Sequence, residues 1–308
     1  MFDGFKEPRE CISTFREKVT NFLNYGAVYY PWLNTSVVQS NEVTFANVEN
    51  LDVLTTMLNA AVPAEPAEKA EQIKAEIAQM AAADVKNDAQ VQKIHRTLSV
   101  ICPNYATIMD LIREQLNLMP PTGAMAGIYT LVDNSIGVWK APANVGVNGV
   151  ISPTVNLTND EQEDLNVPIN GKAVNAIRTF VGDGNKVWGA RTLDGNSLDW
   201  RYVNVRRTMI MLEQSIKLAS KAFVFEPNTA NTWVTMKGMI GNFLTSVWKR
   251  GGLAGTSPED AFEVHIGLGE TMTPEDILEG ILRITVKVAL IRPAEFIEIT
   301  FQQQQQKS

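Results

Sequence analysis

Apolar residues recur at helical spacing in several stretches of the chain and alternate in a few others. Ile12, Phe15, Val19 and Phe22 fall near one face of residues 7–24, which predicts an opening helix. Gly26 to Trp32 is a short aromatic run closed by Pro31, and reads as a strand. Residues 64–85 are rich in Ala, Glu, Gln and Lys, with Ile73, Ile77 and Met80 as a narrow apolar stripe. A second helical pattern follows Asp88 through Val91, Ile94, Leu98 and Ile101, and a third begins after Pro103. Residues 120–202 hold many Gly, Pro and Asn and read as irregular, with one short strand at 186–190.

The last third is more regular. Val205, Met209, Leu212 and Ile216 predict a helix over 203–221, residues 222–225 read as a short strand, and 230–249 as another helix. Ser257-Pro258-Glu259-Asp260 and Thr273-Pro274-Glu275-Asp276 are two copies of one helix-start signal, and Gly280 looks like the stop of the second. Leu282, Ile284, Val286, Val288 and Leu290 alternate with polar residues, as a half-buried strand does. After Pro293, the segment Glu295-Phe296-Ile297-Glu298-Ile299-Thr300-Phe301 alternates again, and five glutamines follow.

Composition narrows the function classes. Across 308 residues, 27 basic side chains against 34 acidic ones give a net charge of −7, which argues against a broad nucleic-acid surface. Two cysteines, Cys11 and Cys102, cannot build a disulfide scaffold, and two histidines, His95 and His265, exclude a His-rich metal site. No run reaches the length of a membrane span, and the first residues show no secretory signal, so synthesis in the cytoplasm is expected.

No catalytic constellation emerges. There is no G-x-S-x-G elbow, and both histidines read as structural, His265 on a strand and His95 on a polar helix face. Gly182-Asp183-Gly184-Asn185 reads as a tight turn rather than a phosphate or calcium loop. Lys249-Arg250 is a basic pair at a helix end, where it compensates the dipole or makes a contact. Arg206-Arg207 reads as ion pairing at the core periphery, and the tryptophans, Trp139 and Trp188 among them, as core. Two other classes stay open on residues alone. One is an enzyme with Asp183, Asp194 or Asp199 in a pocket of the 120–202 loops; the other is a binding module using the helices of 64–117.

Several phrases occur together and in order: Tyr29-Tyr30-Pro31-Trp32, Ala126-Gly127-Ile128-Tyr129, Val138-Trp139-Lys140-Ala141-Pro142, Val187-Trp188-Gly189-Ala190-Arg191-Thr192, Trp200-Arg201-Tyr202-Val203-Asn204, Phe225-Glu226-Pro227-Asn228 and Pro293-Ala294-Glu295-Phe296. With them the chain resembles the C-terminal part of contractile tail sheath proteins of phages, R-type tailocins and extracellular contractile injection systems. The resemblance covers residues 7–40 and 120–302. Family members begin with an N-terminal linker arm, and none is read before residue 7, which implies a truncated form or a contact made differently.

The strand–helix alternation and the composition shift predict an α/β fold, a mixed sheet flanked by helices, with residues 1–40 as the first helix and strand of the core. Residues 41–119 read as a mainly helical insertion, which falls where the resembled family tolerates insertions, and 120–308 as the remainder of the core, ending in a strand arm. The resemblance implies a structural subunit of a helical homo-oligomer around an inner tube, with baseplate and cap proteins as partners, in a phage tail or tail-like particle. No cofactor, nucleic acid or membrane insertion is expected. Residues Glu295 to Phe301 are the expected inter-subunit strand, and Lys249, Arg250, Glu275 and Asp276 the tube-facing candidates.

Overall fold

A computed structural model describes residues 8–63, 66–82, 87–169, 171–296 and 298–299. In chain order the elements are α1 (Pro8–Lys18), β1 (Tyr29–Tyr30), β2 (Leu33–Thr35), α2 (Leu51–Ala60), α3 (Ala67–Ala81), α4 (Asp88–Ile101), α5 (Pro103–Asn117), β3 (Leu118–Met119), α6 (Thr122–Ser135), β4 (Val145–Gly146), β5 (Val150–Pro153), α7 (Asn159–Asn166), β6 (Asn175–Phe180), β7 (Gly184–Trp188), α8 (Val203–Ser220), α9 (Ala230–Lys249), α10 (Pro258–Ala261), β8 (Phe262–His265), α11 (Pro274–Leu278) and β9 (Thr285–Val288). The fold is α/β, with mixed sheets and helices.

The central sheet has four strands in the order β1-β6-β7-β4, with β1 parallel to β6 and the other pairs antiparallel. Adjacent residues of β6 point to opposite faces, as the pleat requires. Ala176 meets Ile12 of α1 and Leu165 of α7 on one side. Ile177 and Val187 meet Met125, Ile128 and Val132 of α6 on the other. A second, antiparallel sheet runs β3-β2-β5.

Between β2 and β3 the chain makes an excursion with its own core. Leu54, Leu58, Ile77, Met80, Leu98 and Tyr105 of α2 to α5 pack with Val43 and Phe45. The two ends of the excursion meet. Thr35 Oγ1 donates to the Asn117 carbonyl at 2.9 Å. The Val38 N–H donates to Asn117 Oδ1 at 2.8 Å, and Asn117 Nδ2 donates back to the Val38 carbonyl at 2.9 Å. β3, which follows at once, pairs as an edge strand of the second sheet.

The C-terminal third forms another core. Met236, Ile240, Leu244 and Val247 bury one stripe of α9 against Val264, Ile266, Leu253 and Trp139. Burial of such side chains is worth about 1.5–3 kcal/mol each, so this stripe is what fixes α9 in place. Ser257 and Thr273 cap α10 and α11 as read from sequence, accepting from the backbone N–H of Asp260 and Asp276. Gly280 has φ +73°, the left-handed conformation of a helix stop.

Other readings needed correction. The irregular region 120–202 contains α6, α7 and four strands. Gly123 and Gly127 lie within α6 on an open face, which dilutes the helical pattern without disturbing packing. Residues 222–225 are not a strand: a 3-10 turn covers Lys221–Phe223, and Phe225 is fully exposed at φ +72°. A short apolar run carries no period of its own, and here it only connects two helices. The first helix stops at Lys18, and Phe22 sits outside it at φ +54°, exposed. His95 is buried rather than on a polar face, with Nδ1 bonded to the Tyr105 hydroxyl at 2.9 Å. Trp139 is core, but Trp188 is 37% exposed.

Candidate assembly interface

The chain leaves β9 along a short tethered path. Leu290 makes a single bridge to Leu253, and Asn204 Nδ2 donates to the carbonyls of Ile291 and Trp139 at 3.0 and 2.9 Å. Pro293 cannot donate to a ladder, and residues 291–296, 298 and 299 form no strand within this chain. Ile297, Thr300 and Phe301 of the sequence-predicted arm lie outside the described residues.

Glu295 is held by Arg191. The Arg191 Nε lies 2.9 and 3.0 Å from the two carboxylate oxygens, and the second amino group 2.6 Å from Oε2. The first amino group donates to the Asn166 carbonyl at 2.9 Å, and the Tyr202 hydroxyl donates to Oε2 at 3.1 Å. Burial first, then the Glu295 charge and its hydrogen bond, push the Tyr202 phenol above its ordinary range.

The sequence folds this way for local reasons. Arg191 follows β7 and is bridged to Tyr202 just before α8. Its backbone is clamped by Asn175, which accepts the Arg191 N–H at 2.7 Å and donates to its carbonyl at 2.8 Å. A Cβ at Gly189 would stand 2.8 Å from that Asn175 oxygen, so only glycine admits the clamp there. The arm root closes one wall of a cleft of about 410 Å³, also lined by Ala143, Gln162 and Trp188.

Beyond Glu295 the two described apolar residues face solvent. Phe296 is 72% exposed and Ile299 68%. Elsewhere the structure offers an open sheet. Among the described residues β8 and β9 form a ladder only with each other, Phe262 opposite Val288 and His265 opposite Thr285. Their inner face, with Val264, Val286 and Val288, packs toward α9. The outer face is charged: Lys287 pairs with Glu263 at 3.0 Å, and His265 bonds both Glu270 and Glu263. Those two carboxylates raise the His265 pKa, Glu270 most. The outer strand edges, rather than the charged face, are what a further strand can join.

The tube-facing candidates are partly committed within the chain. Asp276 pairs with Arg283 at 2.9 Å and accepts the Thr273 N–H at 3.0 Å, which lowers its pKa to about 2. The Arg250 guanidinium lies over the Trp139 ring at 4.9 Å. Lys249 ends α9 and Glu275 opens α11. Neither makes an ion pair among the described residues.

The carboxylates of the enzyme alternative are dispersed. Asp183 pairs with Lys186 in a hairpin turn, Asp199 with Arg292, and the Asp194 N–H binds the Thr192 hydroxyl. The cleft beside Tyr202 contains Glu295 and no other carboxylate. Arg191 carries no local signal in the sequence of its role in holding Glu295. Its partner is 104 residues away, so no local spacing marks the pair. The Arg206-Arg207 reading holds for one residue of two. Arg207 makes a bidentate pair with Asp133 at 2.8 and 2.6 Å, whereas Arg206 stacks on Tyr25 and Trp200.

A mixed sheet between helices, followed by a two-stranded sheet and a tethered arm, describes a building block with open edges. The comparison with known families gives the class. Residues 10–193 match the phage tail sheath protein central domain, and residues 196–304 the phage tail sheath C-terminal domain. The chain belongs to the phage tail sheath protein family.

Among solved structures, it is similar to a chain of the PVC sheath complex of an extracellular contractile injection system in the contracted state. Identity is 46% and TM-score 0.58, covering 61% of this chain and 52% of that one. The contracted helical sheath of the anti-feeding prophage gives 44% identity and TM-score 0.57, over 61% of this chain and 51% of that one. The tail sheath protein of Enterobacteria phage T4 is 25% identical over 160 residues, 52% of this chain and 24% of the phage protein. The matched parts thus span about half of the solved sheath chains and a quarter of the phage protein.

Proposed function

We propose that this chain is a structural subunit of a contractile tail sheath, which polymerises helically around an inner tube and contracts to drive the tube through a target envelope. Its partners are copies of itself, the tube protein, and baseplate and cap proteins. It is made in the cytoplasm and assembled into a phage tail or tail-like particle. It works as a scaffold rather than an enzyme: Glu295, the one carboxylate among the described residues lining the cleft beside Tyr202, is paired with Arg191.

One observation carries the reading beyond family membership. Among the described residues, Phe296 and Ile299 past Glu295 are exposed and lie in no strand, and the β8–β9 sheet pairs with no third strand. In the assembly the arm of one subunit extends such a sheet in the next. Four or five inter-strand hydrogen bonds at about 1 kcal/mol net each and a few buried apolar side chains at about 1.5–3 kcal/mol each give on the order of 10 kcal/mol gross. Ordering the arm offsets much of it. The remainder is repeated at each subunit and keeps neighbours linked while the lattice changes shape.

The test is negative-stain microscopy of the purified chain mixed with its tube protein, with light scattering alongside. Rods or tubes support the reading; a sharp monomer under all conditions contradicts it.

A further inference from the structure

Arg206, in the first turn of α8, is a cation with no anion partner among the described residues. Its guanidinium carbon lies 3.8 Å from the centre of the Tyr25 ring and 4.5 Å from that of Trp200, so aromatic rings cover it. Its Nε is sealed from solvent and has no acceptor. Among the described residues the Arg206 side chain makes no hydrogen bond and no ion pair, although its neighbour Arg207 holds Asp133 and Arg191 holds Glu295. Asp199, adjacent to Trp200 in sequence, is turned to Arg292 instead.

The surroundings are those of a contact surface rather than of a core. Tyr25 is 61% exposed, Leu198 73% and Phe22 81%. Phe22 also holds a left-handed backbone at φ +54°, uncommon for a bulky residue. Trp, Tyr and Arg are the residue types that dominate binding energy at protein interfaces.

We propose that the Tyr25–Arg206–Trp200 stack, flanked by Phe22 and Leu198, is a docking surface for a second copy of this chain, which supplies a carboxylate to the edge of the Arg206 guanidinium. With its carbon over two aromatic rings, the guanidinium still presents planar N–H donors, which match a carboxylate. The charge balance points to a copy of the same chain. Subunits carrying 34 acidic against 27 basic residues repel one another at long range, so a contact between them needs a fixed local cation that meets an acid. Nucleic acid does not fit, because a single guanidinium on a chain of net charge −7 cannot follow a phosphate backbone. The acid belongs to a different part of the surface, so the contact is heterologous. Repeated, such a contact extends a helix rather than closing a dimer.

The inference rests on the sheath reading, and the experiment separates the two. Assembly of the full chain is followed by light scattering and negative-stain microscopy for wild type, Arg206→Met and Arg206→Lys. Both variants are expected to melt within a few degrees of wild type and to need at least about tenfold more protein to form rods, since lysine keeps the charge but not the stacked fork. Wild-type rods with both variants assembling at the wild-type concentration would overturn the docking surface and leave the sheath reading standing. A wild-type chain that never assembles would sink both. If Arg206→Met fails to fold, a photo-crosslinking residue at Leu198 in the otherwise native chain decides. Crosslinks within rods to an Asp- or Glu-bearing peptide of another copy support the proposal. Crosslinks only to a different protein, or none, refute it.

Discussion

Arg191 holds Glu295 across 104 residues of sequence, through both carboxylate oxygens, at a site where the arginine side chain is 4% exposed and the glutamate 16%. The pair ties the exit of the central sheet to the root of the C-terminal arm. It therefore fixes the chain's direction at Glu295, just before the segment we propose as the inter-subunit arm. A buried pair of this kind adds less to net stability than to geometry, because desolvation offsets the attraction.

Breaking one partner is a different matter, since it strands a buried charge. Glu295→Ala should destabilise the chain by about 3 kcal/mol in denaturant melts. The double variant Arg191→Met with Glu295→Leu should cost less than that single change, because it removes both charges together. A double variant as unstable as Glu295→Ala would mean the pair matters for packing rather than charge.

The meeting of Val38 with Asn117 makes the helical excursion separable in principle, and we propose residues 41–119 as an insertion in the sheath core. Replacing residues 39–116 with a short Gly/Ser linker should leave a chain with cooperative thermal unfolding and intact C-terminal helices by circular dichroism. Loss of cooperative unfolding would show that the excursion is integral to the core.

The pH dependence has a definite sign. Burial raises the Tyr105 phenol to about 12, and also raises Tyr29 and Tyr129. The folded-state pKa lies above the unfolded value near 10, so the stabilisation is complete below pH 10 and is lost as the pH rises from there toward 12. Tyr105→Phe should make the alkaline fall in melting temperature shallower. An identical fall in both proteins would mean that Tyr105 titrates normally.

Much of the fold was legible wherever packing repeats at helical spacing. The α9 stripe, the capped starts at Ser257 and Thr273, and the alternation of β9 all follow from residues close in sequence. The α6 helix was hidden by Gly123 and Gly127 and by the prolines before it, although Met125, Ile128 and Val132 keep the period. His95 was misplaced because its partner Tyr105 comes from the next helix. At the candidate interface, the Arg191 anchor and the Arg206 stack were not legible. Both depend on distant segments of chain brought together only by folding.

Lys249 and Arg250, with Glu275 and Asp276, remain our proposed contacts with the tube, which should be polar and charge-based so that the sheath can grip and release. Reversing Lys249 and Arg250 to glutamate should weaken tube-templated assembly and change its salt dependence, read as rod yield against ionic strength. An unchanged salt profile would remove both residues from the contact.

The most direct test of the arm as the link between subunits is deletion of residues 297–308, which spares the Arg191–Glu295 anchor. The account predicts a soluble chain that melts within a few degrees of the full-length protein yet forms no rods with the tube protein under the microscope. Rods of normal length and abundance from the shortened chain would contradict it.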